Sequence, residues 1–397
     1  MNMGYRLRLK ICILAVAVCG VAGEGTAQGT VPGLVVPVPS DSAVRIVSDS
    51  FGTSGGGMRQ FDVYRPVDAG GDLPVVVFAN GSGAALRTFP GYVDWARLVT
   101  GRQMAAVLYE GPTIGAEMTF EALVREGLAD LDSVVTTLAR RSATLGIDAS
   151  NVVIWAGSGQ TTIGTPFALG GRHASIRGYV LYYGAGNVES PRLDVPVFIA
   201  RAGLDAVGLN RSLDSLAHRL TAAGVPLTLV NYPAGQHAFD IYDDTEATAR
   251  VIDQTVDFMH AVTRPGLRDA VASGIPAVRA AMAFALEDWA EAERLYGELA
   301  RKNPSSRSAA WRLGLAQLAN NHPAEALTSF DRARELGQGG ARDIGLPAAL
   351  AAVRAGERTR AIDWLEWALR SFPRIRAEIQ ADEELAPLLE DPRLRGG

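Results

Sequence analysis

Short, continuously apolar runs alternate along the chain with longer stretches in which apolar residues recur every three or four positions. A continuous apolar run is typical of a strand buried on both faces of a sheet, and the longer spacing is typical of one face of a helix. The alternation predicts a mostly parallel, doubly wound sheet with helices on both faces. The strands of this sheet are predicted at 73–78, 104–109, 152–155, 178–183, 195–200 and 227–232.

The pattern differs at the two ends of this region. Residues 44–66 are apolar segments on either side of the glycine-rich stretch 52–57, which predicts an antiparallel hairpin. Helical spacing at 120–146 and at 244–263 predicts two of the flanking helices, and the second of them closes the region. Pro265 then marks a boundary, because proline interrupts a continuing helix.

After Pro265 the sequence has only helical spacing, and the spacing repeats. Small alanines and one bulky residue return in the same order with a period of about 34 residues, which resembles the tetratricopeptide repeat. The alanines let paired helices approach, and the bulky side chain fills the gap between them. An unrelated helical bundle is the alternative. The repeating positions are Ala292, Tyr296 and Leu299, then Ala326, Phe330 and Ala333, then Ala361, Leu365 and Ala368.

Length and charge limit the classes of protein that this chain can be. A chain of 397 residues with 48% hydrophobic residues can form more than one core, so we expect domains at 28–265 and 270–395. The formal net charge is −5 and the sequence has no long basic run. Nucleic acid is therefore not an expected partner.

Residues 1–27 have the pattern of a secretory signal peptide. Arg6, Arg8 and Lys10 precede the apolar stretch 11–22, and small residues at 25–27 offer a cleavage site. The apolar stretch is too short to span a bilayer as a stable helix, so we expect no stable membrane span. The prediction is a bacterial protein exported to the periplasm or secreted, with an uncleaved anchor as the alternative.

Both cysteines, Cys12 and Cys19, lie inside this segment. A mature chain without them has no disulfide, no cysteine nucleophile and no thiolate metal site. We expect neither a metal nor another cofactor. Acylation of Cys19 in a lipoprotein is disfavoured, because Val18 occupies the position where such a signal requires a small side chain.

Three chemically active residues follow the ends of three predicted strands. Ser158 stands between Gly157 and Gly159, and Asp205 and His237 each follow a later strand. The carboxyl ends of parallel strands meet at one edge of a sheet, so we expect the three side chains to converge. The chain order Ser, Asp, His is that of the α/β-hydrolase fold, whereas other serine hydrolase folds use other orders.

In this interpretation Ser158 is the nucleophile, His237 is the general base and acid, and Asp205 orients the imidazole. The glycines around Ser158 could instead form a loop without chemistry. Asp205 could instead cap the helix that contains residues 212–220, and Asp214 inside that helix is a weaker candidate for the acid. The other histidines are expected to be surface or capping residues: His173, His218, His260 and His322.

An acyl-transfer site also needs two backbone N–H groups that bind the developing oxyanion. Gly159 follows the nucleophile and is predicted to supply the first. The second is predicted from the loop after the strand at 73–78, from Ser82 or Gly83. An ordinary strand-to-helix connection would also be rich in glycine, so the loop alone does not decide between the two.

Together these residues resemble the dienelactone hydrolase-like branch of the α/β-hydrolases over residues 60–260. The resemblance rests on the segments 80–83, 155–159, 203–205 and 235–239. It implies hydrolysis of an ester or related acyl bond without a cofactor. The chain departs from the family pattern in its serine nucleophile in place of cysteine, in Asn80 where histidine is common, and in Gln160 where glycine is usual.

The leading hypothesis is an exported serine hydrolase that acts on a small acyl substrate, with repeats that bind a protein partner or a second copy of the chain. A hydrolase fold used as a non-catalytic scaffold is the main alternative. A serine peptidase is a third, since the same triad cleaves amides. Ester cleavage is favoured because an alcohol leaves more easily than an amine.

Overall fold

The computed structural model describes residues 33–81, 86–112, 118–337 and 341–395. The predicted signal peptide at 1–27, with Cys12 and Cys19, lies outside these residues. So do Ser82 and Gly83, the two candidates for the second oxyanion donor.

One eight-stranded sheet forms the centre of the first half. Its strands are β1 (Val44–Gly52), β2 (Met58–Pro66), β3 (Leu73–Phe78), β4 (Ala105–Tyr109), β5 (Ile147–Gly157), β6 (Ile176–Tyr182), β7 (Val197–Ala202) and β8 (Leu227–Tyr232). Their order in the sheet is β1-β2-β4-β3-β5-β6-β7-β8. The first two strands form the expected antiparallel hairpin, β2 pairs antiparallel with β4, and the other pairs are parallel.

Helices cover both faces of this sheet, as the continuous apolar runs predict. Alternate side chains of β3 enter two separate cores: Val75 and Val77 lie in one, and Val76 and Phe78 in the other. The helices of this half are α1 (Pro90–Thr100), α2 (Phe120–Leu145), α3 (Thr161–Leu169), α4 (Val207–Ala222), α5 (Phe239–Tyr242) and α6 (Glu246–Val262). The first core is covered by α2, α3 and α4, and the second by α1 and α6.

Four strands differ from their predicted limits: β4 and β6 by one or two residues at an end, and β5 and β7 by more. β5 begins at Ile147, and its first half alternates buried with partly or fully exposed residues, so it lacks the continuous apolar run on which the prediction relied. β7 begins at Val197 and extends to Ala202, later than predicted. Pro196 has no N–H to donate to a neighbouring strand, which explains why the regular pairing starts after it.

The second half consists of paired helices, as the repeat predicts. The pairs are α7 with α8, α9 with α10, and α11 with α12. The repeating alanines are buried, and Gly314 of α9 leaves room for Phe330 of α10, because a Cβ there would lie 2.8 Å from the phenylalanine ring. The helices are α7 (Pro265–Ala285), α8 (Trp289–Lys302), α9 (Arg307–Ala319), α10 (Pro323–Glu335), α11 (Ala341–Arg354), α12 (Arg358–Ser371) and α13 (Arg376–Ala381).

The repeats begin in contact with the sheet domain. Gly224 follows α4 and packs against α7, since a Cβ at Gly224 would lie 2.2 Å from Val278. Among the helices of the described ranges, none is both long enough and apolar enough to cross a membrane.

Candidate active site

The turn after β5 holds Ser158 in a strained backbone conformation. Its φ is 54°, in the left-handed region that residues other than glycine rarely adopt. Gly157 has no room for a side chain, because a Cβ there would lie 2.8 Å from the ring of Trp155. Helix α3 begins at Thr161, so the turn passes from strand to helix within a few residues. This geometry presents the serine hydroxyl at the carboxyl edge of the sheet.

The turn after β7 places Asp205 at the same edge. Gly203 allows this turn to touch the loop after β8, because a Cβ there would lie 2.2 Å from the carbonyl oxygen of Pro233. The side chain of Asn210 donates to the carbonyl oxygen of Ala202 at 2.9 Å and fastens the turn to α4. The glycine lets the two loops touch, and the asparagine holds the turn after β7 on α4.

The two alternative interpretations of the acid do not fit the structure. Helix α4 begins at Val207 and its N-cap, Ala206, makes no side-chain capping bond, so Asp205 is not the cap. Asp214 pairs with Arg201 instead, with 2.7 Å between the guanidinium Nε and the carboxylate Oδ1.

The three side chains form one continuous hydrogen-bonded chain. Ser158 Oγ lies 2.9 Å from His237 Nε2, and His237 Nδ1 lies 2.7 Å from Asp205 Oδ2. A carboxylate only accepts hydrogen bonds, so Nδ1 carries the hydrogen and the Nε2 lone pair faces the serine hydroxyl. The aspartate side chain is 6% exposed and the histidine side chain 29% exposed, so the imidazole still reaches solvent. The arrangement allows the histidine to take a proton from the serine.

Two of the other histidines hydrogen-bond to carboxylates that do not belong to this group of three. His173 Nε2 lies 2.8 Å from Asp132 Oδ1, and His322 Nδ1 lies 2.9 Å from Glu293 Oε2 in the repeats. His218 and His260 lie on α4 and α6. Within the described ranges, no group of three or more His, Cys, Asp or Glu side chains could hold a metal ion.

Gln160 makes a contact that its sequence position does not predict. Its side chain is buried and its Oε1 accepts a hydrogen bond of 2.7 Å from the backbone N–H of Gly81. Gln160 follows the predicted donor Gly159, and Gly81 precedes the predicted donors Ser82 and Gly83. The glutamine that departs from the family pattern therefore joins the two chain segments in which the oxyanion donors are predicted.

Asn80 is buried and is held by two hydrogen bonds to Tyr109. Its backbone N–H donates to the Tyr109 hydroxyl at 2.7 Å, and its side-chain Nδ2 donates to the Tyr109 carbonyl oxygen at 2.9 Å. These two bonds anchor the end of β3 to β4. The residue that stands in place of the common histidine thus has a positional role in this chain.

Sequence reasoning missed an aromatic and acidic group behind the histidine. The Tyr183 ring lies 4.8 Å from the His237 ring, centre to centre, and its hydroxyl donates to Asp240 at 2.8 Å. Burial raises the pKa of the Asp240 carboxyl above its usual range, against the effect of hydrogen bonds from Trp95 and Tyr183. The only sequence signal was an acid three positions after the histidine, which is too common to carry a prediction.

In comparison with known families, one segment of each half has a match. Residues 164–263 match the dienelactone hydrolase family, and residues 277–341 match the tetratricopeptide repeat. No curated protein matches the chain.

Several solved structures are similar to this chain in the course of the backbone. A thermostable esterase from Pseudomonas putida ECU1011 is 17% identical, with 57% of this chain and 86% of that chain covered at a TM-score of 0.47. Brefeldin A esterase, a bacterial homologue of human hormone-sensitive lipase, is 16% identical, with coverages of 59% and 81% and a TM-score of 0.49. A fungal esterase from Rhizomucor miehei is 17% identical, with coverages of 57% and 86% and a TM-score of 0.47.

The two resemblances that the sequence motifs indicated are therefore confirmed. This chain has the α/β-hydrolase architecture, with a match to the dienelactone hydrolase family at residues 164–263, followed by paired helices that match the tetratricopeptide repeat at residues 277–341.

Proposed function

We propose that this chain is a serine hydrolase that cleaves an ester or a related acyl bond of a small substrate. The observation that carries the proposal is the hydrogen-bonded chain from Asp205 through His237 to Ser158, on a strained turn at the carboxyl edge of the sheet. A serine hydroxyl is a weak nucleophile unless a base takes its proton and a third group holds that base. The three side chains meet this requirement.

In the proposed reaction, Ser158 Oγ attacks the acyl carbon while His237 Nε2 takes its proton. The tetrahedral oxyanion is bound by the Gly159 N–H and by a second N–H from Ser82 or Gly83. The imidazolium, stabilised by Asp205, then gives the proton to the leaving alcohol as the carbon–oxygen bond breaks. A water molecule, deprotonated by His237, attacks the acyl-serine, and the acid leaves as Ser158 regains its proton.

Labelling with a fluorophosphonate tests this proposal against the scaffold alternative. An activated serine displaces fluoride and forms a stable bond from Oγ to phosphorus, so we expect one label on the folded full chain, at Ser158. Ser158→Ala should remove the label. Ser212→Ala should keep it, because Ser212 is exposed on the outer face of α4 and its hydroxyl donates to the Gly208 carbonyl oxygen. A folded chain that takes no label would instead be a scaffold.

We also propose that the repeats bind a protein partner or a second copy of the chain, and do not complete the site. The triad and the hydrogen bonds that hold it precede Pro265. A chain that ends at Arg264 should therefore keep most of its activity on a small activated ester. Its melting temperature should fall, because the contact of α7 with Gly224 is lost. Truncated protein that folds by circular dichroism but has no activity would show that the repeats complete the site.

For localisation we propose export to the periplasm or the medium. The support is the sequence pattern of residues 1–27. Mass spectrometry of the exported protein should give a chain that starts near Gln28. Titration of the denatured protein should find no thiol, because both cysteines precede that residue. Detection of a thiol would mean that the segment is retained as an anchor.

A further inference from the structure

A carboxyl group that the proposed chemistry does not use is buried next to the histidine. Asp240 lies in α5 and is 1% exposed. Its Oδ2 accepts from Trp95 Nε1 at 2.7 Å, and its Oδ1 accepts from the Tyr183 hydroxyl at 2.8 Å. Both partners are neutral, so the acid is placed by hydrogen bonds and not by an ion pair. Burial of a carboxyl group is costly, and an apolar side chain would often be more stable there. Its presence needs another reason.

Tyr183 connects this acid to the imidazole. It follows β6 with φ at 32°, a strained value for a residue other than glycine. Its backbone N–H donates to the Ala200 carbonyl oxygen at 2.9 Å, and its hydroxyl is held by Asp240. The ring between these two anchors packs against the His237 ring at 4.8 Å with 57° between the ring planes.

Trp95, which donates to Asp240, also contacts the strand that precedes the nucleophile. Trp95 is fully buried, and its ring lies 5.6 Å from the ring of Trp155 in β5. Ser158 directly follows β5. The same buried core therefore supports the serine and, through Trp95, Asp240 and Tyr183, the imidazole.

The hydrogen bond to Asp205 alone does not fix the imidazole. Rotation of the side chain about its Cα–Cβ and Cβ–Cγ bonds moves Nε2 away from the serine, and a single hydrogen bond at Nδ1 gives limited resistance to it. The Tyr183 ring, which lies 4.8 Å from the imidazole, restricts this rotation further. Small displacements matter, because a shift of about 1 Å can cost about 100-fold in rate.

We propose that Tyr183 and Asp240 are positioning residues that hold the His237 imidazole with Nε2 directed at Ser158 Oγ. This inference rests on the proposed hydrolase function for its kinetic test. The role of Asp240 is to anchor the Tyr183 hydroxyl, and the role of Tyr183 is to support the imidazole ring.

The kinetic test uses matched tyrosine variants of the full chain. Tyr183→Phe should lower kcat on a small activated ester about tenfold and leave KM within about twofold, because the ring loses its anchor while the substrate site is unchanged. Tyr182→Phe is the control. Tyr182 is the neighbouring buried tyrosine, and its hydroxyl contacts Thr255 instead of Asp240. It should keep kcat within about twofold.

Two variants of the acid separate hydrogen bonding from charge. In Asp240→Asn, the new side chain can donate from Nδ2 to the Tyr183 oxygen while its Oδ1 accepts from Trp95. This variant should therefore keep most of kcat. Asp240→Leu removes both bonds and should lower kcat at least as much as Tyr183→Phe. The double variant of Tyr183→Phe and Asp240→Leu should be no worse than Asp240→Leu alone, since the two act in series. Should Asp240→Leu fail to fold, the pair of Tyr183→Phe and Asp240→Asn decides the question.

A proton NMR readout works whether or not the chain is an enzyme. The His237 Nδ1–H that donates to Asp205 should give a downfield resonance, which Tyr183→Phe should broaden or shift and Tyr182→Phe should leave unchanged. A chain that takes no fluorophosphonate but shows this NMR change would refute the hydrolase function and keep the positioning role. If Tyr183→Phe leaves both kcat and the resonance unchanged, or if Asp240→Asn loses as much activity as Asp240→Leu, the positioning role is wrong.

Discussion

Ser158→Ala is expected to lower kcat on a small activated ester by a factor of about 10⁴ or more. The alanine cannot form the acyl ester, so the reaction must proceed by direct attack of water. The remaining oxyanion donors and substrate contacts provide only weak residual catalysis. The measurement is steady-state hydrolysis by the full chain, with circular dichroism to show that both proteins fold.

The control for this prediction is Ser212→Ala, which removes an exposed helical hydroxyl and should change kcat by less than about twofold. The serine assignment would be wrong if Ser158→Ala retained more than a tenth of the activity in a preparation free of host esterases. Loss of activity in both variants would point to damage during preparation.

Asp205→Asn is expected to lower kcat about 10⁴-fold with little change in KM. The asparagine NH₂ can donate to Nδ1, which then places the imidazole hydrogen on Nε2. In that tautomer the ring cannot take the proton of Ser158. The structure supports this result, because Asp205 Oδ2 lies 2.7 Å from His237 Nδ1 and the carboxylate is nearly inaccessible to solvent.

Asp214→Asn is the matched control, with the same chemical change on an acid that was a candidate from the sequence. Asp214 pairs with Arg201, and its side chain is about half exposed. Exposed ion pairs of this kind contribute about 0–1 kcal/mol to stability, so the variant should fold and keep its activity within about twofold. Equal losses in the two variants would mean that the identity of the acid remains to be found. Full activity in Asp205→Asn would refute the triad.

The sequence by itself determined the order of strands and helices, because local periodicity records which faces are buried. The run at 73–78 coincides with the buried strand β3. The run at 227–232 coincides with β8, but β8 is the last strand of the sheet and is largely exposed, so its predicted burial on both faces is wrong. The small residues around Ser158 and in the acid turn were also readable, since a tight turn needs glycine wherever it occurs. Once a parallel sheet was predicted, its common carboxyl edge placed Ser158, Asp205 and His237 together.

Only the tertiary structure decided which polar groups meet across the chain. Gln160 and Gly81 lie far apart in sequence, and so do Trp95 and Asp240; their contacts depend on how two loops and two helices pack on the sheet. Periodicity reports burial but not the partner of a buried polar group. The contacts of Tyr183 and Asp240 that support His237 could therefore not be predicted from the sequence, because they form only when distant segments pack together.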